Sequence, residues 1–214
     1  MTIRAIIFDL DNCLCPASAV GEDLFAPAFS AMRSANNGAL SDVQLEQAFA
    51  ACWHTAFDTV AALHGFTPAM FEAGHLAFRQ LEVTTPLVGY ADLSAVRQVP
   101  VTRFLVTSGY RRLQESKVRA LRIGSWFEEV IVDAIDDDEH PGKQKIFERI
   151  QMDLGLKPDQ VLVVGDNPIS ELAAGRRLGM VTVQILRPGV TPSPEIERKI
   201  VSLDQLRTLV DERA

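Results

Sequence analysis

The sequence predicts an α/β fold, a doubly wound parallel sheet with an α-helical segment inserted after its first strand. Three observations predict it. Short runs of strand composition recur along the chain, each closed by turn residues. They are almost continuously apolar rather than alternating, as strands buried on both faces are. Helical patterns lie between them, and strand–helix–strand alternation builds parallel βαβ units.

The first strand reads "IRAIIFD" (3–9). Residues 16–86 then break the rhythm and hold no strand pattern. "DLFAPAFSAMRSA" (23–35) carries Phe25, Phe29 and Met32 on one side. "SDVQLEQAFAACWHTAFDTVAALHG" (41–65) opens with Ser41 and Gln44 in capping-box spacing, and runs Leu45, Phe49, Cys52, Ala56, Val60 and Leu63 along one helical face. "TPAMFEAGHLAFRQL" (67–81) starts with Thr67 as N-cap and Pro68 at the first helical position. These aromatic stripes predict a small core of the insertion's own. "VTTPLVGY" (83–90), with Pro86 and Gly89, makes the hinge back.

The second strand is "VTRFLVTSG" (101–109), and "RRLQESKVRALRIG" (111–124) follows as a helix with Leu113, Lys117, Val118 and Leu121, stopped at Gly124. The third strand is "EEVIVDA" (128–134). "GKQKIFERIQMDLG" (142–155) places Ile146, Ile150 and Leu154 at i, i+4 spacing before Gly155. "QVLVVGD" (160–166) is the fourth strand, "ISELAAGRRLG" (169–179) a helix ending on Gly179, and "MVTVQIL" (180–186) the fifth strand. No internal repeat or low-complexity tract interrupts the series. The division expected is a sheet core of 1–15 and 87–214, with 16–86 inserted as a helical unit.

At 214 residues, 47% hydrophobic and 23% charged, the composition is globular. A net charge of −7 and a pI of about 5.1 argue against a nucleic-acid polymer as partner, which would need clustered Lys and Arg. The three cysteines, Cys13, Cys15 and Cys52, form no disulfide framework and read as reduced thiols. "MTIRAIIFDLD" meets acidic residues too soon for a secretory signal, and no apolar run approaches the roughly 20 residues of a membrane helix. A cytoplasmic protein without a membrane partner is expected.

Ligands of open parallel sheets bind beyond the carboxyl ends of the strands. The first strand ends there on Asp9 and Asp11, whose mutual repulsion calls for a cation or proton between them. Taken alone, Asp-x-Asp-Asn fits a strand-closing turn equally well. The other strands add to it. Thr107, Ser108 and Gly109 end the second with two hydroxyls and a glycine amide open to an anion; Gly165 and Asp166 end the fourth with a further carboxylate. Lys143 stands at a helix N-terminus between them. Carboxylates for Mg²⁺, with hydroxyls and a lysine for an oxyanion, make a phosphoryl-transfer site.

At this point the sequence resembles the haloacid dehalogenase superfamily of aspartate-nucleophile hydrolases. "FDLDNCL" is similar to its first motif, "FLVTSG" to its second, Lys143 to its third and "VVGDNPISE" to its fourth. The resemblance implies a Rossmann-like catalytic core, and a helical insertion of the family's small α-helical cap (C1) type. It also implies roles. Asp9 is the nucleophile and Asp11 the acid/base. Thr107 and the amides of Ser108 and Gly109 hold the phosphoryl oxygens, steadied by Lys143. Mg²⁺ sits on Asp9, the Asp11 carbonyl and Asp166, with Asn167 and Glu171 behind them. Two departures stand out: Glu171 occupies a position usually Asp, and "HPGKQK" lacks the common Lys-Pro. Lys145 is therefore a rival to Lys143, but the two point to nearly opposite sides of a helix and Lys143 lies nearer its start.

The activity implied is a Mg²⁺-dependent phosphomonoesterase acting through an aspartyl-phosphate on a small phosphorylated metabolite. "DNCL", in place of the commoner "DGTL", resembles the pyrimidine 5′-nucleotidase branch and points first to a nucleoside 5′-monophosphate. Phosphoglycolate, sugar phosphates and a phosphomutase are the alternatives. A 2-haloacid dehalogenase has no leaving alkoxide to protonate, so Asp11 speaks against it; a non-catalytic module would have lost one of the site residues. "DAIDDDEHPG" reads as a solvated loop without EF-hand spacing. His54, His64, His75 and His140 fall at no ligand spacing, and Arg111 and Arg112 are candidates for a second anion on the substrate.

Overall fold

A computed structural model describes residues 2–211. Six parallel strands form one sheet in the order β3-β2-β1-β4-β5-β6. They are β1 (Ala5–Phe8), β2 (Thr102–Gly109), β3 (Glu129–Ala134), β4 (Val161–Gly165), β5 (Val181–Ile185) and β6 (Arg198–Ile200). β1 lies in the middle, with Phe8 in register with Leu105 of β2 on one side and Val164 of β4 on the other. The chain builds outward from β1 to β3, then crosses back to β4. That reversal is the topological switch point where such sheets bind ligands.

The apolar runs are buried twice over because alternate residues face opposite layers. Ile6 and Phe8 of β1 join Leu162 and Val164 of β4 in one cluster, covered by α5 (Arg111–Leu121) and α8 (Gln205–Asp211). Ala5 and Ile7 join Val161 and Val163 in a second, covered by α6 (Gly142–Asp153) and α7 (Glu171–Arg177). Ile6, Ile7 and Phe8 are at most 1% exposed. Each such side chain contributes about 1.5–3 kcal/mol through burial.

Four helices occupy the chain between β1 and β2: α1 (Ala26–Ala35), α2 (Asp42–Ala51), α3 (Phe57–His64) and α4 (Pro68–Phe78). They build a third cluster around Phe25, Met32, Phe49, Phe57, Met70 and Phe78. Ser41 and Gln44 form the capping box that starts α2, and the Thr67 hydroxyl accepts from the Met70 amide at 3.2 Å to start α4. No helix among the described residues is long and apolar enough to cross a membrane.

Three details differ from the sequence reading. The single helix expected over 41–65 is broken between Ala51 and Phe57, a run of Cys, Trp, His and Thr with weak helix propensity. Trp53 instead stacks on Phe25 with ring centroids 4.3 Å apart, and Leu63, expected on the apolar face, is 76% exposed. α5 stops earlier than Gly124, because Arg122 takes the left-handed conformation (φ 58°) and turns buried Ile123 into the core. β6 and α8 add to the elements that periodicity marks: β6 is three residues at the sheet edge with one apolar side chain, buried Ile200, and α8 buries Leu206 and Val210.

Candidate active site

β1 delivers Asp9 to the switch point, where its amide still donates to the Val164 carbonyl at 3.0 Å. The chain then turns tightly. Asn12 adopts a left-handed conformation that asparagine tolerates (φ 54°); its side-chain oxygen accepts from the Ala17 amide at 3.0 Å. Leu14 and Cys15 both donate their amides to the Leu10 carbonyl. The turn sends Asp9 and Asp11 in different directions.

Asp9 is 7% exposed and accepts from Lys143 Nζ at 2.7 Å. The same ammonium reaches Glu171 Oε2 at 3.1 Å, and Glu171 Oε1 accepts from the Asn167 amide at 2.7 Å. Lys143 is buried whereas Lys145 is exposed, so the first turn of α6 brings Lys143 alone to the site. Gly165 makes room for this arrangement: a Cβ there would lie 2.2 Å from Glu171 Oε1.

Carboxylate oxygens of Asp9, Asp166 and Glu171 can all lie within 4.8 Å of one another. One ammonium cannot offset three carboxylates in a buried site. Burial, reinforced by the charges of Glu171 and Asp9, pushes the Asp166 carboxyl up to about 8. Burial raises Asp9 as well, although Lys143 pulls the other way. The Lys143 ammonium is held protonated: its two carboxylate partners outweigh its own desolvation. A cluster of hard oxygen donors with surplus negative charge suits a divalent cation such as Mg²⁺.

Asp11 faces α5. Lys117 Nζ donates to both of its carboxylate oxygens at 2.9 Å, and Gln114 Nε2 reaches Oδ2 at 2.9 Å. The Gln114 amide also donates to Thr107 Oγ1 at 2.7 Å and to the Ser108 carbonyl at 3.0 Å. Thr107 thus has its hydroxyl oxygen fixed while its proton stays free for an anion. The Ser108 hydroxyl donates to Asp133 Oδ2 at 3.0 Å. Asp133 Oδ1 accepts from the Gly142 amide at 3.0 Å and so ties the end of β3 to the start of α6, one residue before Lys143.

Sequence reasoning passed over Gln114, Lys117 and Asp133. A signal was present for one of them: Lys117 is a lysine within the buried stripe of α5, where a charge needs a partner. Gln114 and Asp133 carry no such mark, since their roles depend on which strands become neighbours.

The site residues Asp9, Asp11, Thr107, Ser108, Gly109, Lys143, Asp166, Asn167 and Glu171 line one cavity of about 360 Å³, roofed by the loop between α2 and α3 and by Phe25 and Phe78. Arg111 and Arg112 are not in its lining; Arg111 pairs with Asp137 and Glu115, and Arg112 with Glu82. A wider depression of about 810 Å³ at the opposite, amino end of the strands holds none of the candidate-site residues. The cysteines stand apart from this chemistry. All three are free thiols, Cys13 and Cys15 packed in the core. Burial pushes Cys15 and Cys52 up to about 12 and raises Cys13 too, so they stay protonated.

Comparison with known proteins places these observations in context. A family model described as haloacid dehalogenase-like hydrolase matches residues 3–179. A glyceraldehyde 3-phosphate phosphatase of Methanopyrus kandleri is 28% identical, over 98% of this chain and 96% of its own. A shorter stretch, 28% of this chain and 26% of the other, is 42% identical to an enolase-phosphatase of Aquifex aeolicus. Among solved structures, a phosphatase from Thermococcus onnurineus shares the fold with a TM-score of 0.65 at 21% identity, covering 99% of this chain and all of that one.

Proposed function

The chain belongs to the haloacid dehalogenase-like hydrolases, and from that membership we propose that it is a Mg²⁺-dependent phosphomonoesterase acting on a small phosphorylated metabolite. The observation that carries this reading is the pair of aspartates two residues apart, each with its own lysine: Asp9 on Lys143 at 2.7 Å and Asp11 on Lys117 at 2.9 Å. A hydrolase of carbon–halogen bonds has no use for the second of these. The names of the similar proteins, glyceraldehyde 3-phosphate phosphatase and enolase-phosphatase, support the same class of reaction.

In this mechanism Thr107 and the amides of Ser108 and Gly109 bind the non-bridging oxygens of the phosphoryl group, as preorganised donors. An Asp9 oxygen attacks phosphorus and the bond to the leaving oxygen breaks, giving an aspartyl-phosphate. Asp11 passes a proton to the leaving alcohol as that bond breaks. It then takes one from the water that attacks the aspartyl-phosphate, releasing phosphate and restoring Asp9. Lys143 offsets the charge that accumulates around Asp9. Mg²⁺ bound by Asp9, Asp166 and the Asp11 carbonyl, with Glu171 behind them, would neutralise the charge that otherwise keeps a carboxylate from approaching a phosphate dianion. The helical segment 16–86 is the cap that roofs this reaction, on a core of 1–15 and 87–214.

Two substrate readings carry over. The "DNCL" of Asp11–Leu14 resembles the pyrimidine 5′-nucleotidase branch and points to a nucleoside 5′-monophosphate, and a relative matched along nearly the whole chain is named for glyceraldehyde 3-phosphate. A 360 Å³ cavity lies at the small end of ligand sites and fits a compact monoester. The mechanism is tested by phosphate release from p-nitrophenyl phosphate with Mg²⁺. Wild type should turn over, and Asp9→Asn should lose at least about a thousandfold. Equal activity in the two overturns it.

A further inference from the structure

The charge inventory of the cavity restricts what can leave with the phosphate. Among the described residues six carboxylates line it, and the cations are Lys117 and Lys143. Both lysines are already committed, to Asp11 and to Asp9 and Glu171, at 2.7 to 3.1 Å. The roof offers no replacement. Residues 16–86 contain no lysine and two arginines. Arg33 pairs with Glu46 and Asp42 on the outer surface, and Arg79 faces Asp136 at 3.9 Å. Neither arginine lines the cavity. Each of the two histidines in the lining has its Nδ1 beside a neighbour: His54 Nδ1 lies 3.4 Å from the Asn12 side-chain amide nitrogen, and His140 Nδ1 lies 3.8 Å from Asp133.

One polar group in the roof is left over. Asp58, in the first turn of α3, lines the cavity, and its Oδ1 is buried without a hydrogen-bond partner. A carboxylate is an acceptor alone at neutral pH. Phe25, Trp53, Phe57 and Phe78 line the same cavity. This wall would repel a second carboxylate or phosphate on the substrate, with no cation to screen it. It would complete its own bonding with a donor hydrogen.

We propose that the site selects phosphomonoesters whose leaving alcohol carries no second negative charge and presents a hydroxyl or amine hydrogen to Asp58. The inference rests on the phosphatase reading above. It removes phosphoglycolate, other phosphorylated acids and bisphosphates from the substrate range.

The test is steady-state kcat/KM on matched esters: glycerol 3-phosphate, O-phosphoethanolamine, 3-phosphoglycerate and, as a reference, p-nitrophenyl phosphate. Glycerol 3-phosphate and 3-phosphoglycerate differ in one terminal group, hydroxymethyl against carboxylate. The wild type should prefer the former at least tenfold, and the better of the hydroxyl and amine esters identifies the donor. Asp58→Asn should lower that preference at least fivefold, and Asp58→Ser provides a second reading should Asp58→Asn fold poorly. Preference for 3-phosphoglycerate, or a ratio unmoved in a folded Asp58 variant, overturns this inference and leaves the phosphatase reading standing. Failure to hydrolyse any of the four esters overturns both.

Discussion

Lys117 and Lys143 look alike in composition and do different work. Lys143 lies in the carboxylate cluster, so Lys143→Met should cost at least about a hundredfold in kcat by removing the cation beside the proposed nucleophile. Lys117 touches Asp11 alone and fixes its rotamer with Gln114. Lys117→Met should lower kcat roughly 10- to 100-fold, the range of a misplaced acid/base, with KM within about threefold; a wild-type kcat would show that Asp11 needs no such support. The carboxylates also set a pH signature. Asp166 and Asp9 hold their protons more tightly folded than unfolded, so unfolding releases protons between the ordinary carboxylate range and about pH 8. In chelator, thermal stability should therefore fall as pH rises from about 4 to about 8 and level off above. Mg²⁺ should flatten that slope, and a melting temperature indifferent to pH in chelator would count against the buried cluster. At this scale the gathering of the candidate groups in one cavity was legible, because strand-end aspartates, hydroxyls and a helix-start lysine have few other reasons to coincide. Their supports were not: Gln114 and Asp133 act only across strands that pair far apart in sequence.

The elements were legible where one periodicity ran without interruption. β1, β2, β4 and β5 are apolar on both faces, and Ser41 and Thr67 start their helices by bonds that residue type alone dictates. The reading failed where a face pattern ran across residues of weak helix propensity. The chain opens between Ala51 and Phe57, and there Trp53 stacks on Phe25. That opening puts His54 and Thr55 over the site. At the end of β4, Gly165 and α7 depend on each other, since the Glu171 carboxylate occupies the space of a Cβ. Gly165→Ala should destabilise the protein by about 1–3 kcal/mol, as overpacking does, and should also raise the Mg²⁺ concentration for half-maximal activity. Unchanged Mg²⁺ dependence would show that Glu171 can move aside without consequence.

Across the whole molecule, one buried guanidinium joins segments that the topology leaves separate. Arg187, just past β5, donates to the Cys13 carbonyl at 2.9 and 3.1 Å and to both oxygens of Asp92, and lies over the Tyr90 ring at 4.0 Å. Asp92 in turn accepts from the Leu203 amide at 2.8 Å. The turn after β1, the hinge beside Gly89 and the last stretch of chain thus share one charge pair. Arg187→Ala leaves Asp92 buried without its partner and should cost about 3–5 kcal/mol, lowering Tm on the order of 10 °C. A smaller loss on calorimetry would mean that water enters to replace it.

Sheet order has a last consequence, in the time the chain takes to appear. β1 is synthesised first, yet one of its two neighbours, β4, is more than 150 residues behind it. Until Val161–Gly165 has left the ribosome, the central strand has one edge of amides and carbonyls with nothing to bond, and Asp9 has no Asp166 beside it. Over that interval the nascent protein has that edge open to other strands, its own or a neighbour's. The emergence of β4 closes this edge of β1 and completes the candidate site in the same event. A chain stopped before β4 would accordingly be both inactive and prone to aggregate.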